Sequence, residues 1–350
     1  MVPGSDFRPA PRVDDRHART RSPFALDDDA SYRRWRDWKL ARAPAGAQAL
    51  IVEVGDPARL SAAEHAAIVE RCRVSNMAVY ASRRREPDKE IARRLGEQLG
   101  LRSLDANWLA DEDGISSLTV SERGTRSEFI PYTDRPIRWH TDGYYNEPRR
   151  NINAMLLHCA ERAEQGGGNR LLDHEIAYIL LRDADPAFVR ALSAQDAMLI
   201  PPREAEADAE TGAAADTVAG SGAGAGTDAN AGAAVAGEVA RRARSGPVFS
   251  LLAASGDLHM RYTARTRSIA WHDDPATRAA VDALRAVLDA AAPYVHSLRL
   301  EPGMGIVCNN VLHERDAFSD SPQHRRLVFR ARYHDRIAGT LSSFTDAWAA

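Results

Sequence analysis

WHTDGYYNEP, residues 139–148, places a histidine and an aspartate two positions apart within a stretch rich in aromatic and turn-forming residues. Such an H-x-D pair supplies two ligands in some metal sites, but the motif is short. With 11 histidines and 30 aspartates in 350 residues, chance alone yields about one such pair. The chain contains two, and the second is His272-Asp273-Asp274. The surrounding sequence must therefore decide between them.

The second pair lies where a helix is predicted to begin. Pro275 follows it directly and opens the segment PATRAAVDALRAVLDAAAPYV, which is typical of a helix. Asp273 or Asp274 is suited to cap the first amides of that helix, where a negative charge also interacts well with the helix dipole. The pair at 272–274 is explained without a metal.

The first pair lies in a loop rich in proline and tyrosine that leads into an apolar predicted strand around residues 154–158. A third ligand is available in GIVCNNVLHERDAF (305–318), where His313 follows a predicted strand. Two histidines and one carboxylate form the facial triad by which non-haem oxygenases bind Fe(II). A structural zinc site would use four ligands and usually sulfur. The pattern favours an Fe(II) site at His140, Asp142 and His313.

A row of arginines follows the third ligand. Arg326 lies thirteen residues after His313, in the predicted strand RRLVFRARY (325–333). If a 2-oxo acid supplies electrons to the iron, the protein must bind its distal carboxylate, ideally with an arginine. Arg326 is the candidate, and Arg325 is the nearest competitor for that role.

The strand period of two separates the side chains of this segment into two faces. One face holds Arg326, Val328, Arg330 and Arg332, and the other holds Leu327, Phe329 and Ala331. Arginines on a buried strand are costly unless anions bind there. An exposed strand face with paired charges is the alternative interpretation.

The composition is that of a globular protein, with 44% hydrophobic and 27% charged residues. A net charge of −3 and the lack of a basic stretch interleaved with aromatics argue against a nucleic-acid partner. No apolar run approaches the roughly 18 residues of a membrane span. The three widely spaced cysteines, Cys72, Cys159 and Cys308, fit small buried side chains in a reducing cytoplasm. Residues 1–24 lack the apolar centre of a secretory signal, and we expect a disordered tail.

Helix signals cluster before residue 100 and after residue 172. Ser61 and Glu64 form a capping-box pattern, Pro87 opens a helix that stops at Gly100, and Asp173 and Pro186 mark two more helix starts. Six segments are predicted strands: NAMLLHC (153–159), PVFSLLAA (247–254), LHMRYTAR (258–265), HSLRLEPG (296–303), GIVCNN (305–310) and RRLVFRARYH (325–334). We therefore expect a mainly β fold with flanking helices, and a helical or mixed N-terminal element over 25–100.

Residues 204–245 are nearly pure Ala, Gly and small polar residues. Such a segment cannot bury enough apolar surface to offset the entropy of ordering it. We expect a disordered insertion there.

The ordered motifs resemble those of the TauD/TfdA-like Fe(II)/2-oxoglutarate-dependent dioxygenases. The matching stretches are WHTDGYYNEP, LLHCAERAEQGGGNRLLDHEIAYILLRDADPAFVRAL, LEPGMGIVCNNVLHERDAF and RRLVFRARYHDR. The central part is most similar to the γ-butyrobetaine hydroxylase branch. The resemblance implies a double-stranded β-helix (jelly roll) over 101–350, with residues 204–245 inserted into it. The zinc-binding N-terminal module of that branch is absent, so its substrate does not transfer.

The resemblance also implies roles for single residues. His140, Asp142 and His313 would bind iron, and Arg326 would pair with the C5 carboxylate of 2-oxoglutarate. Asn169 would contact the co-substrate or serve as a simple turn residue. Arg330 would reach the substrate or co-substrate. Tyr144 and Tyr145, together with Trp139, would form an aromatic wall for a cationic group or merely pack the loop.

The implied function is hydroxylation of a small anionic or zwitterionic metabolite, with O₂ consumed and 2-oxoglutarate converted to succinate and CO₂. Asp142 favours hydroxylation, because related halogenases replace this carboxylate with a small residue. Two alternatives stay open: a jelly-roll binding protein with a regulatory or vestigial iron site, and a cupin-like metalloenzyme that does not use 2-oxoglutarate. The sequence leaves both a monomer and a homo-oligomer open.

Overall fold

Helices and strands alternate along the parts of the chain that the computed structural model describes, residues 22–106, 109–202 and 242–340. The α-helices are α1 (Asp29–Ala41), α2 (Ala62–Ser75), α3 (Lys89–Gln98), α4 (His174–Ala184), α5 (Pro186–Leu192) and α6 (Pro275–Ala290). The strands of the first half are β1 (Ile51–Glu53), β2 (Met77–Ala81), β3 (Ser116–Leu118), β4 (Ile137–His140), β5 (Ala154–Glu161), β6 (Gln165–Gly166), β7 (Asn169–Leu172) and β8 (Met198–Ile200). Those of the second half are β9 (Arg244–Gly246), β10 (Phe249–Leu251), β11 (Leu258–Met260), β12 (Ala270–Trp271), β13 (His296–Leu298), β14 (Met304–Cys308), β15 (Leu312–Arg315), β16 (Phe318–Ser319) and β17 (Leu327–Tyr333).

Helices α2, α4, α5 and α6 begin where the capping signals predicted, whereas α3 begins at Lys89 with Asp88 as its N-cap, so Pro87 lies before the helix. Ser61 and Glu64 form a complete capping box at α2. Asp173 accepts a hydrogen bond from the amide of Glu175 at α4. Asp274 accepts hydrogen bonds from the first amides of α6, so the second H-x-D pair is confirmed as a helix cap.

Two sheets dominate the described structure. The larger has the strand order β1-β2-β14-β5-β17-β3, and the smaller has the order β13-β7-β15-β4. All of their pairings are antiparallel except β1 with β2. An apolar cluster shared by both sheets lies between them, with Leu157, Ile306 and Val328 from the larger and Leu171 from the smaller. Val328 of β17 faces this cluster, whereas Phe329 and Ala331 face the opposite side of the larger sheet, as the period of two along β17 predicted.

Helices cover the outer side of the larger sheet and form a second layer elsewhere. Ile68 of α2 and Leu95 of α3 pack with Leu156 and Phe329 on the outer face of the larger sheet. Helices α1, α4, α5 and α6 share a separate cluster with β8, β10 and β11. The architecture is thus mixed helix and sheet, and the expectation of a mainly β protein was too narrow.

Residues 25–100 contribute directly to the larger sheet. β2 pairs with β14 over five residues, from Met77 opposite Cys308 to Ala81 opposite Met304. The sequence predicts a helical or mixed N-terminal element over 25–100, and the strands β1 and β2 of this segment join the larger sheet. The sequence did not predict these two strands, because β1 has only three residues and β2 is buried along most of its length and lacks an apolar–polar alternation.

The predicted disordered segments lie mostly outside the described residues. Of the tail expected at 1–24, the described Phe24 is 7% exposed and its ring lies 5.0 Å from that of Trp35. Of the insertion expected at 204–245, the described end belongs to β9, which pairs with β8. In the described ranges, none of the helices is both long enough and apolar enough to span a bilayer.

Candidate metal centre

The two histidines of the predicted triad face each other across neighbouring strands. His140 ends β4, and in the antiparallel pairing of β4 with β15 it lies directly opposite His313. Their ring centroids are 4.1 Å apart with an interplanar angle of 49°. The strand register therefore brings together two residues separated by more than 170 positions in sequence.

Each imidazole is oriented by a hydrogen bond from its Nδ1 to a backbone carbonyl oxygen two residues earlier in the chain. Nδ1 of His140 lies 2.9 Å from the carbonyl oxygen of Arg138, and Nδ1 of His313 lies 2.9 Å from that of Val311. A carbonyl oxygen only accepts, so Nδ1 of each ring donates and Nε2 keeps its lone pair. Burial, helped by the neighbouring His313, lowers the pKa of His140 to about 3, and burial also lowers that of His313. Both rings are neutral, as metal ligands must be.

Asp142 is fixed through its backbone by Asn310, a residue that the sequence did not reveal. The amide of Asp142 donates to Oδ1 of Asn310 at 2.8 Å, and Nδ2 of Asn310 donates to the carbonyl oxygen of Asp142 at 3.0 Å. Nδ2 also donates to the carbonyl of Ile152 at 2.7 Å. Asn310 has a left-handed backbone (φ 51°), a conformation that asparagine tolerates better than most residues. The only available signal was an Asn-Asn turn between two strands.

The three side chains leave a gap suited to a cation. Ligand atoms of His140, Asp142 and His313 all lie within 4.8 Å of one another. Oδ2 of Asp142 is buried and has no hydrogen-bond partner in the described part of the chain. Burial raises the pKa of Asp142, but the guanidinium groups of Arg330 and Arg332 outweigh it and hold that pKa well below its usual range. An ionised, buried carboxylate oxygen beside two imidazole lone pairs fits a divalent cation, and two nitrogens with one oxygen suit Fe(II).

His272 is not part of any cluster of possible metal ligands among the described residues. Its side chain is 46% exposed and lies 3.2 Å from Asp196. Within the described residues, the triad is the one set of histidine, cysteine and carboxylate side chains placed to hold a metal.

A cleft of about 700 Å³ opens over Asp142. Its walls include the predicted residues Tyr144, Tyr145 and Arg330. Seven arginines line the cleft against three acids: the arginines are Arg138, Arg150, Arg244, Arg265, Arg267, Arg330 and Arg332, and the acids are Glu128, Asp142 and Glu147. The cleft therefore carries a positive field that favours anions.

The aromatic residues around the motif divide between the cleft and the core. The rings of Tyr144 and Tyr145 meet edge to face at 5.2 Å, and the hydroxyl of Tyr145 accepts a hydrogen bond from Arg332 at 2.9 Å. Trp139 alternates with His140 along β4, so it points to the other side and is buried in the core. It does not line the cleft, and the aromatic wall expected from three residues has two.

The arginines of β17 differ in how their charge is compensated. Arg332 forms a buried ion pair with Asp105. Arg330 lies 3.4 Å from Oδ1 of Asp142, and its Nε has no hydrogen-bond partner among the described residues. Of the two arginines of β17 that line the cleft beside the metal ligands, Arg330 therefore uses fewer of its hydrogen-bond donors than Arg332 does.

Arg326 lies in a second cationic region, outside the walls of the cleft. It is buried, whereas Arg325 is exposed. The guanidinium carbons of Arg326 and Arg315 lie 5.2 Å and 4.7 Å from the ring centre of Phe318. Burial lowers the pKa of Arg326 to about 10, and burial with the nearby Arg326 lowers that of Arg315 to about 9. Neither forms an ion pair with a described residue.

Arg315 links this region to the metal ligands. It lies two residues after His313 on β15, and it pairs in register with Asn169 on β7. The side chain of Asn169 is buried, and its Nδ2 lies 3.5 Å from the carbonyl oxygen of Gly167, a contact that also suits a turn residue. The one sequence signal for Arg315 is its place in HER, two positions after the predicted ligand His313, and that spacing alone does not reveal its burial.

Comparison with known proteins gave two kinds of match. Residues 53–332 match the family described as "Taurine catabolism dioxygenase TauD, TfdA family". Curated protein sequences gave no match. The structure of the non-heme iron oxygenase OrfP with Fe, succinate and (3S)-hydroxy-L-Arg is 17% identical, with a TM-score of 0.54 over 79% of this chain and 82% of that one. Its complex with Fe, succinate and (3R,4R)-dihydroxy-L-Arg is 16% identical, with a TM-score of 0.53 over the same shares.

At these identities the solved structures support the fold alone. The family match covers most of the chain, including the triad, the turn at Asn310 and the arginines of β17. The chain belongs to the taurine catabolism dioxygenase TauD, TfdA family.

Proposed function

We propose that this protein is an Fe(II)/2-oxoglutarate-dependent dioxygenase that hydroxylates a small anionic or zwitterionic metabolite. The balanced reaction consumes substrate, O₂ and 2-oxoglutarate and yields hydroxylated product, succinate and CO₂. The observation that carries the proposal is the buried, ionised and unsatisfied oxygen of Asp142 beside Nε2 of His140 and His313. The complexes of OrfP with iron and succinate support the choice of cofactor and co-substrate.

The residues of this chain then take separate roles. His140, Asp142 and His313 hold the iron, which when bound supplies the redox chemistry that couples O₂ to decarboxylation and hydroxylation. Arg326, with Arg315 beside it, binds the distal carboxylate of 2-oxoglutarate, and Asn169 contacts the co-substrate. Burial supports this role, because a guanidinium without an acidic partner is stabilised by a bound carboxylate.

Arg330 is proposed to bind an anionic group of the substrate close to the iron. Tyr144 and Tyr145 bound the same space, and Tyr145 is held by Arg332. The excess of arginines in the cleft favours an anionic group over the quaternary ammonium suggested by the γ-butyrobetaine hydroxylase branch. A cytoplasmic location stays part of the proposal, since all three cysteines are buried and free.

We also infer a jelly-roll core. From β3 onward, the strands of the two main sheets change sheet at each step except from β7 to β13: β3, β5, β14 and β17 belong to the larger, and β4, β7, β13 and β15 to the smaller. Such alternation between two facing antiparallel sheets is the wiring of a jelly roll.

An anaerobic titration tests the metal and co-substrate assignments together. Adding Fe(II) and 2-oxoglutarate should produce a weak visible charge-transfer band. His313→Ala should abolish the band, and His272→Ala should leave it unchanged. The reverse result would overturn the choice of motif.

Succinate release from 2-oxoglutarate in a metabolite extract, dependent on Fe(II) and O₂, tests turnover. A band without turnover in any extract would favour a binding protein with a regulatory or vestigial iron site. Metal binding with no band would favour a metalloenzyme that does not use 2-oxoglutarate.

A further inference from the structure

A second groove, of about 520 Å³, adjoins the active-site cleft. We call it the rim groove. It is lined by Asn146, Glu147, Pro148, Arg242, Ala243, Arg244, Ser245 and Arg261. Asn146, Glu147 and Arg244 also line the cleft, so the two spaces share a wall.

Arg261 is the buried cation of the rim groove. It follows β11, and its residue is only 3% exposed. Its Nε donates to the carbonyl of Tyr144 at 3.1 Å, but its Nη2 has no hydrogen-bond partner among the described residues. Burial, with a smaller contribution from Arg244, lowers the pKa of Arg261 to about 10. A buried guanidinium with an unused donor is costly unless an acceptor meets it.

The groove supplies further positive charge and the room for this side chain. A Cβ at Gly246 would overlap Nη1 of Arg261, so the glycine of β9 is what lets the guanidinium lie where it does. Glu147 is the acid of the groove; it is 60% exposed and pairs with Arg244 at 2.9 Å. Three arginines against one glutamate leave an excess of two positive charges. That excess fits a carboxylate or a phosphate group.

We propose that Arg242, Arg244 and Arg261 form a second anion-binding subsite, which holds a carboxylate or phosphate group at the end of the substrate remote from the iron. The substrate part of this statement rests on the proposed function. Arg242 is exposed and Arg244 is half-buried, whereas Arg261 is buried and has an unused N–H. Because Arg261 also holds the carbonyl of Tyr144, the subsite is one hydrogen bond away from the loop that follows Asp142.

Sulfate binding to the metal-free full-length protein tests the subsite without turnover. Isothermal titration at constant ionic strength, set with sodium chloride, compares the wild type with the Arg242→Gln/Arg244→Gln double variant. Arg190→Gln removes an exposed charge on α5 and is the matched control. Loss of charge-assisted hydrogen bonds should weaken sulfate at least about tenfold in the double variant and leave the control unchanged. Equal affinity in all three proteins, or no saturable binding to the wild type, would overturn the proposal.

Gly246→Ala provides a second variant in which no charge changes. It displaces the guanidinium of Arg261 by steric overlap, and we expect a comparable loss of sulfate affinity, with thermal unfolding monitored to confirm a folded protein. If this variant unfolds, Arg261→Lys keeps the charge but replaces the three-nitrogen guanidinium with a single ammonium, and it should also weaken sulfate. Wild-type affinity in the folded variant would refute the part assigned to Arg261.

Succinate release distinguishes the two sources of the anion. If the subsite holds the distal group of the substrate, sulfate should inhibit release competitively against metabolite extract, and the double variant should lose that inhibition. Sulfate binding without inhibition would contradict the substrate assignment and point to a free inorganic anion. Absence of succinate release in every protein would refute the proposed function while leaving the sulfate titration to decide on the subsite.

Discussion

Replacing Asn310 tests whether the metal site depends on a side chain that holds the backbone of Asp142 without touching the atoms that would bind the metal. We call this pair of hydrogen bonds between Asn310 and Asp142 the clamp. The side chain makes three buried hydrogen bonds, two to the backbone of Asp142 and one to the carbonyl of Ile152. At about 1 kcal/mol each, Asn310→Gly should lower the free energy of unfolding by about 3 kcal/mol. Glycine is the replacement of choice because it tolerates the left-handed backbone, so strain does not add to the loss.

The metal affinity should fall as well. Groups that orient metal ligands without binding the metal typically contribute 10- to 100-fold, and we expect Asn310→Gly to weaken Fe(II) by about that factor. The assay is an anaerobic Fe(II) titration, with Co(II) absorbance as an oxygen-stable measure of the same site. Urea unfolding of the metal-free protein gives the stability term separately.

The neighbouring Asn309 is the matched control. It also makes three buried hydrogen bonds, to Asn76, Thr340 and the amide of Ile337, none of which involves Asp142. Asn309→Ala should therefore cost a similar free energy of unfolding, about 3 kcal/mol, and leave the Fe(II) affinity of the folded protein intact. Equal losses of metal affinity in both variants, or no loss in Asn310→Gly, would refute the clamp.

Three further perturbations have definite expected outcomes. Arg326→Gln should cost roughly 2–3 kcal/mol of charge-assisted binding. In the anaerobic titration of the charge-transfer band, the Kd for 2-oxoglutarate should therefore rise by about 30- to 150-fold. Arg325→Gln alters an exposed residue and should leave that Kd unchanged. Lys39→Met should lower the free energy of unfolding at pH 7 by about 3–5 kcal/mol in urea, because it leaves Asp173 buried without its cation. Burial raises the pKa of Asp173, but Lys39 brings that pKa below its usual value. The stability that this pair contributes is therefore present above about pH 4 and is lost as the pH falls further. Lys39→Met should remove this loss of stability in acid, and an unchanged dependence of stability on acid pH would contradict the pairing. Gly143→Ala, at a residue with φ 67°, should lower the unfolding temperature through at least about 1–2 kcal/mol of backbone strain, and an unchanged temperature would count against that conformation.

Local rules predicted much of this structure, and long-range pairing accounts for most of what they missed. Helix starts at Ser61, Asp173 and Asp274 follow from capping chemistry that operates over four residues. The division of β17 into two faces follows from its period, although a register shift between Leu327 and Val328 was not foreseen.

The site shows the same limit more sharply. The triad was predictable because each ligand type is chemically distinctive. The clamp at Asn310 was not, since an asparagine in a turn has many local uses and its partner lies 168 positions away. Arg315 and Arg261 were missed for a related reason: their meaning comes from burial without an acidic partner, which only the tertiary structure shows.

Charge balance connects the proposed cofactors to the class of substrate. Fe(II) brings two positive charges, and Asp142 offsets one of them, since both histidines are neutral. The two carboxylates of 2-oxoglutarate and the guanidinium of Arg326 then bring the sum to zero, and the buried Arg315 beside Arg326 adds one further positive charge. Arg330 stands outside this balance, because its closest acid is Asp142, whose charge the metal uses. A cationic or neutral substrate would leave Arg330 uncompensated in a cleft already rich in arginine, whereas an anionic group compensates it close to the metal ligands.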